Sequence, residues 1–278
     1  MPHLRPGASL RRFVLPISNP ANLVLFGDRL PPLLPWLRTF LLPAGAAILA
    51  TYLAVRALFW SELRGRIPQV PREFRLSNAG KLTLLGIIGT AGTLLFCSVL
   101  GKPLGAPTLI AALAATLFVT LCDRQAPWAV GRRVAWGVLP LVAGLFVIVE
   151  ALDLTGGLRL VRHVLEKLSE YPPVPANLAT AFGFATVSNL INNLPVGLIG
   201  AAALRASAAS GHLANAMLIG IDLGPNISVT GSLATILWLI ALRRENLHVS
   251  TWTFLKAGLI VTPGALLLAS LMLRLTSA

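Results

Sequence analysis

A long apolar segment of this chain is interrupted by the polar stretch Thr186-Val-Ser-Asn-Leu-Ile-Asn-Asn-Leu-Pro-Val-Gly197, here called the hairpin break. A second apolar segment is interrupted by Asp222-Leu-Gly-Pro-Asn-Ile-Ser-Val-Thr-Gly231, here called the helix break. Inside a bilayer, non-helical backbone persists only where protein or a water-filled cavity satisfies its N–H and C=O groups. Paired apolar segments broken by Gly, Pro or polar residues indicate the substrate site of a secondary transporter. The two breaks therefore predict a membrane transporter whose site they form together.

The composition predicts an all-α polytopic membrane protein. Of the 278 residues, 55% are hydrophobic and only 12% are charged, whereas a soluble domain has about 25% charged residues. The net charge of +13 lies mostly in short loops between apolar runs. This distribution is typical of basic loops retained in the cytoplasm, and it argues against a nucleic-acid partner, which would require the charge on one face.

The predicted membrane spans follow from apolar runs that approach the roughly 20 residues a spanning helix needs. They are residues 37–60, 82–100, 108–121, 134–152 and 252–273. Basic loops at 61–81 and 123–133 are separated by two spans, so both are predicted on the cytoplasmic side. The segment after Leu152 is then external. It contains an amphipathic helix at 157–170, which is interpreted either as lying along the outer interface or as a solvated connection.

The two broken segments are predicted to cross the membrane differently. Residues 176–204 bend at Asn192-Asn193 into arms judged too short to span, which favours a re-entrant hairpin that enters and leaves on the outer side. Residues 212–242 are long enough for one crossing but are broken at Gly224-Pro225.

A similarity between two parts of the sequence predicts two repeats. Asn19 and Asn226 each begin a polar break that is followed by an apolar half-helix and a Thr-Phe-Leu sequence. Inverted repeats are common in secondary transporters. Residues 1–60 are therefore interpreted as the tail of an incomplete first repeat, 61–81 as a cytoplasmic loop and 82–278 as a complete second repeat.

The side chains of the breaks suit a small hydroxylated or oxyanionic solute, because Asn donates and accepts hydrogen bonds and Ser and Thr supply hydroxyls. The pocket predicted from these residues consists of Ser188, Asn189, Asn192, Asn193, Asn226, Ser228 and Thr230. Neither break contains Lys or Arg, which favours a neutral solute or an anion held by helix dipoles. Two acids at membrane depth, Asp222 and Glu150, are candidates to carry a coupling proton.

Other functions are disfavoured by the sequence. A phosphate-binding loop of the G-x-x-x-x-G-K-[ST] type is absent, so the chain is not predicted to be an ATPase or any other enzyme. The four histidines are scattered, and Cys97 and Cys122 are predicted on opposite membrane faces. No disulfide, metal site or cofactor is therefore expected.

The motifs resemble one known family. Residues 188–195, 223–235 and 238–244 resemble the arsenical pump membrane protein (ArsB) family of the ion transporter superfamily, as do residues 145–151 and 15–24. The resemblance implies an inner-membrane carrier of bacteria that extrudes arsenite and antimonite, driven by the proton gradient or the membrane potential. It also implies that some members dock a separate ArsA-type ATPase. The site residues it adds to the pocket are Gly224, Pro225, Ser18, Asn19 and Asn22.

The chain departs from that family in length, because family members have two complete repeats. We expect either a truncated or split member, which acts as a homodimer or with a missing N-terminal half, or a start codon placed downstream of the true one. Two alternatives stay open: a carrier of oxyanions or dicarboxylates from the same superfamily, and a non-transporting half that pairs with a separate N-terminal half. The expected partners besides the substrate are membrane lipids.

Overall fold

The computed structural model describes residues 13–27, 30–63, 77–122, 131–132, 136–207, 211–244 and 246–276, and within these ranges it is helical without strands. The helices of the first half are α1 (Pro20–Phe26), α2 (Leu33–Leu58), α3 (Trp60–Leu63), α4 (Asn78–Val99), α5 (Gly105–Cys122) and α6 (Val138–Leu154). Those of the second half are α7 (Gly157–Ser169), α8 (Pro173–Ile191), α9 (Asn193–Ala206), α10 (Gly211–Leu223), α11 (Leu233–Arg244) and α12 (Thr251–Thr276). The basic N-terminus and the centres of both basic loops lie outside the described residues.

Five helices, α2, α4, α5, α8 and α12, are long and apolar enough to cross a membrane. The prediction of an all-α polytopic membrane protein is thus confirmed. The helix α4 begins at Asn78, four residues before the predicted span, because the Ser77 hydroxyl caps it by accepting a hydrogen bond from the Gly80 N–H at 3.1 Å. The helix α2 begins at Leu33, also four residues early, with Pro35 in its first turn, where proline is tolerated.

The chain forms two compact units. One unit comprises Met1–Pro31, Pro35–Arg64 and Ala143–Ala278, and it contains both breaks. The other comprises Pro32–Leu34 and Gly65–Val142, and in it α4 packs against α5. That packing is close, because a Cβ added at Gly86 would lie 3.0 Å from the Cβ of Ala115.

The core of the unit with the breaks is built where α8 packs against α10. A Cβ at Gly220 would overlap the carbonyl oxygen of Ala181, and one at Gly224 would overlap the backbone of Ala185. Since 181 meets 220 and 185 meets 224, the two helices run parallel and in register. Their backbones therefore approach more closely than any residue larger than glycine would allow at 220 and 224.

The hairpin arms differ in length, which corrects one prediction. The helix α8 has 19 residues and is long enough to span, because it begins at Pro173 and so extends three residues beyond the predicted start. The helix α9 has 14 residues and is shorter than a spanning helix. The statement that both arms are too short to cross is therefore wrong for the first arm.

The amphipathic helix at 157–170 is confirmed as α7. Its apolar stripe packs mainly against α9, with Leu165 fully buried, whereas Val164 stays 46% exposed. On the exposed side Arg162 Nε donates to Glu166 Oε1 at 2.7 Å. The helix is thus part of the packed unit around the hairpin.

The contact between α8 and α10 leads to a stability prediction. Gly220→Ala should lower the free energy of unfolding by about 1–3 kcal/mol, because its Cβ has to displace backbone. The control is Gly264→Ala in α12, where a Cβ meets nothing within 4 Å. There alanine should be neutral or stabilise by up to about 1 kcal/mol through its helix propensity. Thermal unfolding in detergent measures both, and equal melting temperatures would contradict the packing.

Candidate functional site

Within the hairpin break, Asn192 is the one residue that separates α8 from α9. Its backbone has φ 80° and ψ 150°, a region that is essentially restricted to glycine. Its amide Nδ2 donates to the carbonyl oxygen of Thr230 at 3.0 Å, and the backbone N–H of Asn193 donates to the carbonyl oxygen of Gly231 at 2.9 Å. These two bonds join the tip of the hairpin to the end of the helix break and hold Asn192 in its unfavourable conformation.

The helix break separates α10 from α11 by nine residues. A 3-10 turn at Gly224–Asn226 is followed by irregular backbone through Ser232. Gly224 and Pro225 are buried, and Gly224, directly after α10, lies against the backbone of Ala185 in α8. A Cβ at Gly231 would lie 2.7 Å from the Cα of Pro225, so the break folds back closely on itself.

Asn189 is the residue that joins the two breaks most completely. Its Nδ2 donates to the carbonyl oxygens of Ala185 and Gly224, both at 2.8 Å. Its Oδ1 accepts from the backbone N–H of Ser228 at 2.9 Å and from the Ser228 hydroxyl at 2.8 Å. A carboxamide has two donors and two acceptor lone pairs, so the protein itself occupies all four. Asn189 is therefore a clamp between the breaks and has no capacity left for a solute.

The hydroxyls of the helix break also contact the hairpin. Ser228 Oγ lies 3.3 Å and Thr230 Oγ1 lies 3.1 Å from the carbonyl oxygen of Asn189, to which both can donate. The two hydroxyl oxygens are 3.2 Å apart. Thr230 is exposed and Ser228 is partly exposed, so this pair forms the accessible edge of the joined breaks.

A third segment reaches the same region from the N-terminal end of the chain. Asn19 caps α1 by accepting from the N–H of Ala21 at 3.1 Å, and its Nδ2 donates to Asp222 Oδ1 at 2.5 Å. Both side chains are buried, Asp222 completely. The structure thus brings Asn19 to the acid that directly precedes the helix break, across 203 residues of sequence.

Three helices that begin at these segments have capped N-termini. At α9, Asn192 Oδ1 accepts from the Leu194 N–H at 3.3 Å, and the next residue, Pro195, has no N–H. At α11, Ser232 Oγ accepts from the Ala234 N–H at 3.2 Å. The helix α1 is capped by Asn19 as described above. Their first N–H groups are therefore occupied by the chain's own oxygens, which weakens the expectation that helix ends hold an anion.

Two predicted site residues keep unused hydrogen-bonding atoms. The Ser188 hydroxyl and the Asn226 Oδ1 are buried and have no hydrogen-bond partner in the part of the chain that the structure describes. A buried polar atom without a partner is costly in an apolar interior, so it indicates a site for water or a ligand. Ser188 and Asn226 thus keep atoms that could accept a hydrogen bond from a solute, whereas Asn189 keeps none.

The remaining predicted residues have other surroundings. Ser18 Oγ donates to the carbonyl oxygen of Leu15 at 2.6 Å, and Asn22 Nδ2 lies 3.5 Å from the same oxygen, so both support the turn before α1. Asn193 contributes its backbone N–H to the junction. Glu150 is exposed on α6, in contrast to Asp222. The described residues include no cluster of three His, Cys, Asp or Glu side chains that would hold a metal.

Sequence reasoning missed two contributors to the site. Ser232 was not selected, although a serine directly before an apolar helix is a recognisable cap. The carbonyl oxygens of Gly224, Thr230 and Gly231 accept hydrogen bonds across the junction, but backbone acceptors have no sequence signal.

The conformation of Asn192 leads to a paired prediction. Asn192→Ala and Asn192→Gly both remove the bond to Thr230 and the cap of α9. Only glycine relieves the positive φ, so the alanine variant should be less stable by about 1–3 kcal/mol. Comparison of their melting temperatures in detergent tests this. An alanine variant as stable as the glycine variant would mean that the backbone at 192 is not held in this region.

Comparisons with known proteins agree with the architecture. Residues 7–224 match a family model described as citrate transporter. An arsenical pump membrane protein of Escherichia coli (strain K12) is 35% identical over 185 residues, which cover 63% of this chain and 43% of the relative. Another arsenical pump membrane protein of Escherichia coli is 30% identical over 245 residues, or 83% of this chain and 56% of the relative.

A more distant relative is an uncharacterized transporter of Mycobacterium tuberculosis (strain ATCC 25618 / H37Rv), 27% identical over 176 residues, or 61% of this chain and 41% of the relative. The chain spans about half the length of the curated relatives it matches. The transporter relatives and the five candidate spans agree with a multi-pass protein of the bacterial inner membrane. Because the family model covers more than half of the chain, this protein belongs to the citrate transporter family, and its predicted kinship with the arsenical pump membrane proteins is confirmed.

Proposed function

We propose that this chain forms the substrate site of a secondary carrier that extrudes arsenite and antimonite from the cytoplasm as neutral trihydroxy species. The relatives named arsenical pump membrane proteins support the substrate class. The observation that carries the choice of a neutral species is the junction of the two breaks. It is polar, it contains no cationic side chain, and the helix N-termini around it are already capped.

The unused atoms of the junction suit a solute that donates hydrogen bonds. Trihydroxy arsenic presents three O–H groups, and it therefore needs oxygen acceptors more than it needs donors. Asn226 Oδ1 can only accept, and the Ser188 hydroxyl can accept or donate. We assign these two residues to substrate contact, with the Ser228 and Thr230 hydroxyls at the accessible edge. The other residues of the two breaks, including Asn189 and Asn192, hold the breaks against each other by hydrogen bonds.

A carrier of citrate or another carboxylate is the second candidate, because the matching family model is described as citrate transporter. A multiply charged anion inside a membrane requires cations, free N–H groups or a bound metal ion to offset its desolvation. Neither break supplies a Lys or Arg, and the first N–H groups of α1, α9 and α11 are already capped. These features favour the neutral solute over the carboxylate.

We assign the coupling proton to Asp222 and not to Glu150. Asp222 is fully buried and its Oδ1 accepts from Asn19, so its protonation state affects the contact between α1 and the helix break. Intramembrane acids that are buried in protein commonly serve proton relays. Glu150 is exposed on α6 and lacks such a link to the breaks among the described hydrogen bonds.

The chain spans about half the length of its curated relatives, and the carrier is proposed to contain a second set of breaks. A homodimer or a separately encoded N-terminal half would supply a second set of breaks, and a separate ArsA-type ATPase is a further proposed partner. The hairpin and the broken helix are proposed to move as one body, and the hydrogen bonds through Asn189, Asn192 and Asn193 support this.

Arsenite tolerance in a bacterial host that lacks its own pump tests the function. The chain should restore tolerance alone or together with its upstream in-frame coding sequence, and Asn226→Ala should reduce that tolerance at least tenfold at equal membrane abundance. Thr186→Val is the matched control, because the Thr186 hydroxyl only donates to the carbonyl oxygen of Phe182 in its own helix. Uptake of labelled citrate without any arsenite tolerance would favour the second candidate instead.

The proton assignment is tested by the pH dependence of transport. Asp222→Asn keeps a hydrogen-bond acceptor for Asn19 but removes the titrating group. Arsenite flux from vesicles should therefore become slower and nearly independent of pH between about pH 5.5 and 8. Glu150→Gln should leave the wild-type pH profile. An unchanged profile in Asp222→Asn, or a flat one in Glu150→Gln, would overturn the assignment.

A further inference from the structure

Two spanning helices of the unit with the breaks share one face of the membrane at their touching ends. The hydroxyl of Thr276, at the end of α12, donates to the carbonyl oxygen of Thr39, near the start of α2, at 2.7 Å. Both helices are long enough to cross. The C-terminal end of α2 and the N-terminal end of α12 therefore both lie at the opposite face.

Each of those far ends carries a cation stacked on an indole. Arg56 Cζ lies 4.9 Å from the ring centroid of Trp60, and Lys256 Nζ lies 5.1 Å from that of Trp252. Both indoles are exposed, Trp60 by 43% and Trp252 by 62%. Tryptophan at the end of a spanning helix prefers the level of the lipid headgroups, so both pairs mark that level.

The distances along the helices agree with this placement. At 1.5 Å per residue, Arg56 lies about 26 Å along α2 from Thr39, and Lys256 lies about 30 Å along α12 from Thr276. The hydrocarbon core of a bilayer is about 30 Å thick. The Thr39–Thr276 contact and the two cation–indole pairs thus lie at opposite boundaries of the membrane.

A third helix end adds positive charge at the same face. The helix α11 ends at the exposed residues Arg243 and Arg244, and only residues 245–250 separate it from α12. The sequences of α2, α11 and α12 contain no Asp or Glu, and the nearest acids along the chain are Glu62 and Glu245. Four cations against these two acids leave a surplus of positive charge, which favours an anionic ligand over a zwitterionic one.

We propose that these three helix ends form a binding surface for the headgroups of anionic phospholipids, made by Arg56, Trp60, Arg243, Arg244, Trp252 and Lys256. The cations contact the lipid phosphates, and the indoles fix the depth of the helix ends. The surface is next to the candidate site, because Gly258, two residues after Lys256, packs against the backbone of Asn226 and Ile227. Lipid bound there would steady the helix that supports the helix break.

Thermal unfolding of the full chain in lipid nanodiscs tests the surface without any transport assay. The wild-type protein should melt at a higher temperature in phosphatidylglycerol-containing discs than in pure phosphatidylcholine discs. The Arg56→Gln/Lys256→Gln variant should lose at least half of that increase. The control, Arg38→Gln/Arg274→Gln, removes two cations from the opposite ends of the same helices and should keep the increase. Raising the salt concentration should shrink the wild-type increase, because surface charges are screened.

Lipid retention gives a second readout that is independent of stability. Native mass spectrometry should find at least threefold less phosphatidylglycerol on Arg56→Gln/Lys256→Gln than on the control. An increase in melting temperature that is unchanged in this variant, or lost equally in the control, would overturn the proposal, as would equal lipid retention. A protein that binds the lipid but transports no arsenite would contradict the proposed function alone.

Discussion

The four hydrogen bonds of the Asn189 carboxamide are the constraint on which the rest of the site depends. They satisfy the N–H of Ser228 and add a second donor to the carbonyl oxygens of Ala185 and Gly224, at a point where two helices lose their regular backbone bonding. A net hydrogen bond contributes about 0.5–1.5 kcal/mol, while a buried group left without a partner costs about 1–3 kcal/mol. The penalty for leaving the Ser228 N–H without a partner exceeds the gain from an ordinary hydrogen bond, so the Asn189 carboxamide stabilises the joined breaks.

The same constraint explains why residues 220 and 224 are glycines. For the Asn189 side chain to reach the carbonyl oxygen of Gly224, the axes of α8 and α10 have to lie closer than side chains normally permit. Gly220 and Gly224 remove the Cβ atoms at the two points where the backbone of α8 passes. The parallel register of these helices then places the hairpin tip beside the irregular backbone of the helix break. The close packing of α8 against α10 and the hydrogen bonds of Asn189 therefore depend on each other.

The sequence predicted the elements better than their partners. Both breaks could be located from polar residues in apolar runs, because hydrophobicity and helix breaking are local properties. The roles of Asn189 and Asn226 could not be separated, since the two residues have the same chemistry and differ only in what faces them. The bond from Asn19 to Asp222 joins residues 203 apart, and no local pattern specifies such a pair. The length of α8 was underestimated because prolines in its first turn look like the end of a loop.

The capping of the helix N-termini affects which solutes the proposed site could distinguish. A helix N-terminus with free N–H groups attracts anions of many kinds, and its selectivity among them is low. Here Asn19, Asn192 and Ser232 occupy those groups, and the buried Asp222 adds an acid to the same region. The polarity that remains comes from amide and hydroxyl oxygens, so the proposed site would distinguish solutes by the number and direction of their hydrogen bonds. A small solute with several O–H groups matches that requirement better than one recognised by its charge.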